Sequence, residues 1–369
     1  MTVATALLSG NEPLPQIAEA AVEQALARAG ASQANGILLF LTPEFARHAQ
    51  QTVTAAARAA QCTQVAGGIA SGVFTEAGWV VDRPAAAVMI FAGDLALTHS
   101  VAGDAPILSY AGAAFPPEWS ESGRRFGGSF GGSFAGRADG AEPAVWQQSR
   151  LTGEQRCSVQ FLGARVDIAA SSGLQLLEAA QTVERSNGYD LERLGGQAAL
   201  KSLSRALPAA LRGQPAQHLH LLAALLIEGG GDAKNALAEG RYRALAVIAI
   251  NADQSLTLAE RVLPGDHLAW AVRQPASAEA DMRQTLARLA ERAPRPACAL
   301  VFSCIGRGPY FYAGDDRDLK VLGERFPGLP LIGVYGTGQI AASGGAAPRN
   351  RPLQNAVVTA LVSPEGEQL

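Results

Sequence analysis

Cysteine, histidine and methionine are scarce in this chain, whose 369 residues hold 4 Cys, 5 His and 3 Met. The cysteines, Cys62, Cys157, Cys298 and Cys304, stand far apart, which excludes the close pairs of a zinc site or a dithiol redox motif. They read as reduced thiols packed as small hydrophobes. No block of like charge exceeds a few residues and the formal net charge is -3, so neither a nucleic acid nor an anionic membrane surface is an expected partner. The longest uncharged apolar run, Leu219 to Ile227, is too short to span a bilayer. The opening MTVATALLSGNEPLPQ lacks the basic and apolar regions of a signal peptide, and a cytoplasmic location is expected.

What the chain does have is glycine and proline, 40 and 20 residues, in a composition 48% apolar and 17% charged. That is a turn-rich globular make-up. The length predicts two domains, 1–210 and 211–369, with the joint near Pro208 to Pro215, where helix-breaking residues cluster.

The first part reads as alternating strands and helices. Val3 to Leu8 is a short apolar strand, Pro15 to Ala29 has helical spacing with Gly30 as its stop, and Gly36 to Leu41 is a continuous apolar strand. Thr42-Pro43-Glu44 predicts the cap and first turn of a helix to about Ala60, followed by a glycine-punctuated strand from Gln64 to Phe74. A late segment has the same order: strand Ala297 to Cys304, helix Asp315 to Arg325, strand Leu329 to Tyr335, then Gly336-Thr-Gly338. VAGGIASGVFTEAG and LIGVYGTGQIAASG form a faint internal repeat. The fold class predicted is α/β, with mixed sheets flanked by helices in two pseudo-repeated halves, and an α-β-β-α layering is left open.

Gly336-Thr-Gly338-Gln-Ile-Ala341 has the spacing of a dinucleotide fingerprint, but that motif needs a helix after the glycines. Gly344, Gly345, Pro348 and Pro352 oppose one, so a strand-to-strand bend is predicted.

Between the halves, Gln155 to Ile168 reads as strand and Ala179 to Leu194 as extended chain turning at Asn187-Gly188. Gln197 to Leu207 reads as helix and Leu219 to Ile227 as strand. Arg243 to Ile250, Ser255 to Val262 and His267 to Arg273 follow as a three-strand meander, and Glu279 to Glu291 as an amphipathic helix. After Arg124-Arg125, the segment from Phe126 through Phe130 and Phe134 to Gly136 is too glycine-rich for helix. It reads as a surface loop docked by its phenylalanines, or as an anion-cradling loop.

Arg307 suits a ligand carboxylate or phosphate by its planar fork, or an ion pair with Asp315, Asp316 or Asp318. Cys304 is a nucleophile only if a base is supplied from elsewhere. His218 and His220 alternate on what reads as a strand, a metal spacing without a third ligand. His48, His99 and His267 are isolated.

Three stretches, ALAVIAINADQSLTLAERVLPGDHLAWAVR, ACALVFSCIGRGPYF and LPLIGVYGTGQIA, resemble the C-terminal FIST module with its Phe-Ser-Cys-x-x-Arg and later glycine segments. ILLFLT, VAGGIASGVF and VERSNGYDLERLGGQAA are similar to the N-terminal FIST module. The resemblance implies an intracellular, non-enzymatic sensor of small ligands, of which amino acids are one class. The family elements fall on Cys304, Arg307, Gly333, Tyr335, Gly336 and Gly338; Gly67, Gly68 and Ser71 mark the matching bend of the first half. Gln339 stands where the family has Glu, and Gln354-Asn355 where it has His-Asn, so Asn355 is kept while an acid and an imidazole become amides.

The expected protein therefore binds a small anionic or zwitterionic metabolite and signals through a separate partner, such as a histidine kinase or cyclic-dinucleotide enzyme. No catalytic residue, metal or cofactor is assigned. The alternative is a haem-binding nitric-oxide sensor with no axial ligand identified; a Cys304-dependent enzyme and a ligand-free adaptor rank below.

Overall fold

The computed structural model describes residues 2–112, 114–129, 144–228, 232–238, 240–342 and 349–365. It is a mixed α/β protein whose chain forms two compact units, one from Met1–Ser172, Met282–Ala342 and Pro348–Leu369, the other built on Gly173–Asp281. The first unit therefore draws strands from both of the sequence modules 1–210 and 211–369.

The repeat seen faintly in the sequence is a repeat of topology inside the first unit. The first copy runs β1 (Thr2–Ser9), α1 (Pro15–Ala29), β2 (Gly36–Leu41), α2 (Ala49–Ala59), β3 (Val65–Ile69), β4 (Gly72–Thr75), β5 (Gly78–Val81) and β6 (Ala85–Ala92). The second runs Ala164–Ser171, Pro275–Arg292, Cys298–Cys304, Arg317–Arg325, Leu331–Gly336, Gly338–Ala342, Asn350–Leu353 and Val357–Pro364. Strand order is β1-β6-β2-β3 in the first sheet, and the second sheet repeats it with the equivalent strands. Each has one parallel pair, β2 with β3 and Cys298–Cys304 with Leu331–Gly336. The second unit is spliced between the first strand and first helix of the second copy.

Alternation along the strands sorts the cores. In β2, Ile37, Leu39 and Leu41 pack against Val22 and Ala25 of α1 and Val53 of α2, while Leu38 and Phe40 face inward. In Cys298–Cys304, Ala299 and Val301 meet Leu286, Leu289, Val321 and Leu322 of the two helices, while Leu300 and Phe302 face inward. The inner faces share one core with a third sheet, which contributes Tyr110, Phe126, Cys157 and Phe161. Helices thus cover the outer faces of two sheets whose inner faces meet in common apolar packing. Such strands are buried on both sides, which is why they read as unbroken apolar runs.

Local punctuation follows the sequence. Pro15 opens α1 and Gly30, at φ 62, closes it. Asp316 caps Arg317–Arg325 by accepting from the Leu319 N–H at 2.9 Å. Thr42, expected as a cap, instead accepts from the Ala85 N–H at 2.9 Å, and the turn after it is a 3-10 helix, Pro43–His48. The single strand expected over Gln155 to Ile168 is two, Arg156–Leu162 and Ala164–Ser171, parted at Gly163 with φ 76. Arg125–Ser129 is a strand, parallel to Ile107–Ala111, and its Phe126 is buried; Phe130, Phe134 and Gly136 lie outside the described residues. So do Gly344, Gly345 and Pro348, while Pro352 sits in Asn350–Leu353, the edge strand of the third sheet.

In the second unit the expected meander does not form. His267–Arg273 pairs with Leu222–Ile227, and Tyr242–Ile250 pairs with Leu222–Ile227 and Leu256–Leu258. His218 and His220 belong to a 3-10 turn, Pro215–Leu221, rather than a strand, so the alternating metal spacing is not present.

Candidate functional site

The two glycine-bent strands come together. β3 ends at Ile69, turns through Ala70 and Ser71, and continues as β4, which leaves the first sheet to pair with Leu331–Gly336 of the second. The Ser71 N–H donates to the Tyr335 carbonyl at 2.9 Å. Leu331–Gly336 turns in the same way through Thr337, and Gly338–Ala342 enters the third sheet. The apparent dinucleotide fingerprint is a one-residue bend between strands, with no helix to receive a phosphate.

The bend lies at the carboxyl ends of a parallel pair, where Cys304 stands opposite Gly336. Open α/β sheets place ligands at such ends. Cys304 is 5% exposed, its thiol points to the Asn355 Oδ1 at 3.8 Å, and its N–H donates to the Ala356 carbonyl at 3.0 Å. Asn355 takes φ 55, a left-handed conformation that asparagine tolerates better than most residues. Gln354 is exposed.

Past the bend, Gln339 is fully buried, and among the described residues neither its Oε1 nor its Nε2 has a hydrogen-bond partner. Pairing places Leu353, Gln339, Gly128, Tyr110 and Cys157 in one row across the third sheet. Gly128 contributes no side chain to that row between Gln339 and Tyr110. Tyr110 packs edge-on to Phe40 at 5.4 Å, and burial, with a smaller contribution from Cys157, pushes its hydroxyl far up. Burial likewise raises the Cys157 thiol to about 12. A buried polar group without a partner costs about 1–3 kcal/mol. Among the described residues, the donor and acceptor of the Gln339 amide are both unused.

Arg307 sits on the opposite, helix-covered side. It is 1% exposed, donates from Nε and Nη2 to both oxygens of Asp318 at 2.8 and 2.9 Å, and reaches the Ser171 carbonyl and Oγ at 2.9 Å. Tyr312 donates to Asp318 Oδ2 at 3.0 Å, and Tyr335 donates to Asp316. Burial alone would lower the Arg307 pKa, but the Asp318 carboxylate outweighs it and the net shift is upward. Burial raises Asp316 to about 6, against the opposing hydrogen bonds from Tyr335 and Leu319. Of the two readings of Arg307, the ion pair with Asp318 is formed in this structure.

The glycines divide similarly. A Cβ on Gly333 would lie 2.1 Å from Phe74 Cε2, and one on Gly67 would lie 1.8 Å from the Leu39 carbonyl oxygen. Those two positions are small because a ring and a backbone press on them. Gly68 pairs with Val145 in the first sheet. The structure thus groups Cys304, Gly336, Gly338, Gln339 and Asn355 near the bend, with Ser71 bonded beside it, and sets Arg307 and the Tyr335 side chain apart.

Arg125 was legible only as part of the basic pair before the glycine-rich segment. It is 8% exposed, bonded to Ser109, Ser122 and Ser158, and stacked 4.5 Å above Trp119, so its hydrogen-bond partners among the described residues are neutral. Burial lowers its pKa, and the charge of Glu118 opposes that. No group of three or more His, Cys, Asp or Glu suited to a metal occurs among the described residues. No helix among them is long and apolar enough to cross a membrane.

Residues 199–342 match the family model of the FIST C domain, so that part of the chain is similar to this domain. The match covers the C-terminal module; the N-terminal one rests on resemblance. FIST domains are associated with sensory, small-ligand-binding roles and are not a known enzyme family. The chain is also similar to the uncharacterized protein Mb0898c of Mycobacterium bovis and the uncharacterized protein MT0897 of Mycobacterium tuberculosis, each 37% identical over 92 residues. A third, the uncharacterized protein MT0656 of Mycobacterium tuberculosis, is 30% identical over 92 residues. Each similarity covers 25% of this chain and 24% of the relative, so only about a quarter of each relative's length is spanned.

Proposed function

We propose that this chain is a small-ligand-binding sensory protein whose ligand sits at the bend between Leu331–Gly336 and Gly338–Ala342, against Gln339. The observation that carries this is the full burial of the Gln339 amide without a hydrogen-bond partner among the described residues. Native interiors leave few such groups unmade, and one at the end of a parallel pair is where a ligand recovers the cost. Gln339 and Asn355 each offer a donor and an acceptor without net charge, and the Arg307 charge is already met by Asp318. That donor set favours the zwitterionic side of the expected ligand class over a simple anion. An amino-acid-like molecule presents a carboxylate to the amide N–H groups and an ammonium to their oxygens. Output passes to a separate signalling protein of histidine kinase or cyclic-dinucleotide type, as the family resemblance implies.

The test is thermal unfolding of the protein and of Gln339→Met across amino acids, small organic acids, nucleotides and haemin. A zwitterion at about 100 times its Kd adds roughly 2.7 kcal/mol, a rise of several degrees, to the parent protein only. No shift, or an equal shift in Gln339→Met, removes this site. A shift from haemin alone, with a Soret band, replaces the reading with the haem sensor.

A further inference from the structure

The second unit has a cavity that the bend site does not explain. Its sheet carries two apolar faces. One, with Leu222, Ala224, Leu226, Trp270 and Val272, closes on the helix Ala199–Ala206. The other presents Ala223, Leu225, Ala269 and Ala271. Three of these four are alanines, and Leu225 is the one that lines the cavity.

With Leu225, the cavity is lined by Leu174, Leu176 and Ala180, by Leu237 of the short helix Ala233–Ala238, and by Tyr242. They enclose about 640 Å³. That lies inside the range of about 300–1,000 Å³ of small-molecule sites, which are mostly apolar with a few placed polar groups. Here the charged lining residues are Asp232 and Lys234, both on the helix side. Asp232 is turned toward its own helix, where Oδ1 accepts from the Lys234 N–H at 3.1 Å and the carbonyl accepts from the Ala236 N–H at 3.0 Å. The Lys234 side chain is exposed at the rim. An apolar chamber with a cation at its edge complements one kind of molecule.

We propose that this cavity binds a small amphipathic carboxylate, its hydrocarbon body against Leu174, Leu176, Leu225 and Leu237 and its head at Lys234. It is a second site, independent of Gln339, and would give the protein a response to an apolar acid.

Calorimetric titration of the whole chain with octanoate and with octanol tests this, using Lys234→Gln, Ala180→Trp, Leu176→Ser and Gln339→Met. Saturable octanoate binding with a negative heat-capacity change is expected. Lys234→Gln weakens octanoate roughly two- to five-fold, the range of an exposed ion pair, and leaves octanol unchanged. Ala180→Trp fills the chamber and abolishes both; if it melts early, the exposed Leu176→Ser provides the same comparison by weakening both. Gln339→Met binds octanoate as the parent does, which separates this site from the bend. Absence of saturable binding overturns the proposal, and so does binding indifferent to both Lys234→Gln and the chamber variants. Octanol binding as tightly as octanoate overturns the role of Lys234.

Discussion

Arg307 and Asp318 form a two-point ion pair in the protein interior, Nε to Oδ2 at 2.8 Å and Nη2 to Oδ1 at 2.9 Å, with both side chains almost wholly buried. The pair joins the 3-10 turn after Cys298–Cys304 to the first turn of Arg317–Arg325, and Ser171 ties it to the end of Ala164–Ser171, two strands away in the sheet. An arginine so bound has little to offer a ligand without first releasing an acid.

Removing one partner leaves an uncompensated buried charge. Arg307→Met should therefore cost about 3–5 kcal/mol in denaturant unfolding. The double variant Arg307→Met, Asp318→Leu should recover part of that loss, because both charges are then gone. Arg307→Met with parental stability and no ligand-induced shift would instead make Arg307 a ligand group.

Gln339 should behave in the opposite way. Gln339→Met replaces two polar atoms that have no partner among the described residues by an apolar chain of similar size, so stability without ligand should hold or rise by about 1 kcal/mol. Gln339→Glu places the family's acid in the same fully buried position. Burial raises a carboxyl pKa, so this variant should match the parent near pH 4 and lose stability as pH rises. Melting curves from pH 4 to 8 check both; a clear loss for Gln339→Met would show that the amide is already satisfied.

The elements and the bend were legible because apolar runs and glycine or proline stops act locally. Gly36 to Leu41, Pro15 to Ala29 and Cys298 to Cys304 carry their own signals. β6 does not: its Ala85-Ala-Ala opening has little strand propensity, and its place between β1 and β2 comes from pairing on both sides. Partner choice is likewise non-local, which is why the meander reading failed while its strands at Tyr242–Ile250 and His267–Arg273 formed. At the site, Gln339 stood out as a departure from a family pattern, but its burial depends on three sheets sharing one core. The choice among Asp315, Asp316 and Asp318 for Arg307 was set by how the helix start meets the preceding turn, which no spacing encodes.

Asp316 gives a pH prediction. Its carboxyl is raised from 3.8 to about 6 by burial, despite the hydrogen bonds from Tyr335 and Leu319. A folded pKa above the unfolded one means the folded state holds the proton more tightly. The associated stability is complete below about pH 4 and lost as pH rises through about 6, at most about 3 kcal/mol. Asp316→Asn keeps an oxygen to cap Leu319 and does not titrate. The stability of the parent minus that of Asp316→Asn should fall between pH 4 and 7; parallel curves would show that Asp316 is not perturbed.

Gly333 tests whether a glycine of the bent strand serves packing or a ligand. A methyl there meets Phe74 Cε2 at 2.1 Å and the Val301 carbonyl oxygen at 2.7 Å, and Phe74 packs on Tyr335 with ring centres 4.8 Å apart. Gly333→Ala should therefore lose about 1–3 kcal/mol by overpacking. Phe74→Leu vacates the ring position, so the double variant should be more stable than the sum of the single effects predicts, with a coupling of about 0.5–3 kcal/mol. Recovery should stay incomplete, because the Val301 carbonyl does not move with Phe74. The ligand shift separates the roles: Gly333→Ala should lower the melting temperature and keep the shift, since this face is the helix-covered one. Loss of the shift at unchanged stability would place the ligand on the Tyr335 side of the sheet and move the site away from Gln339.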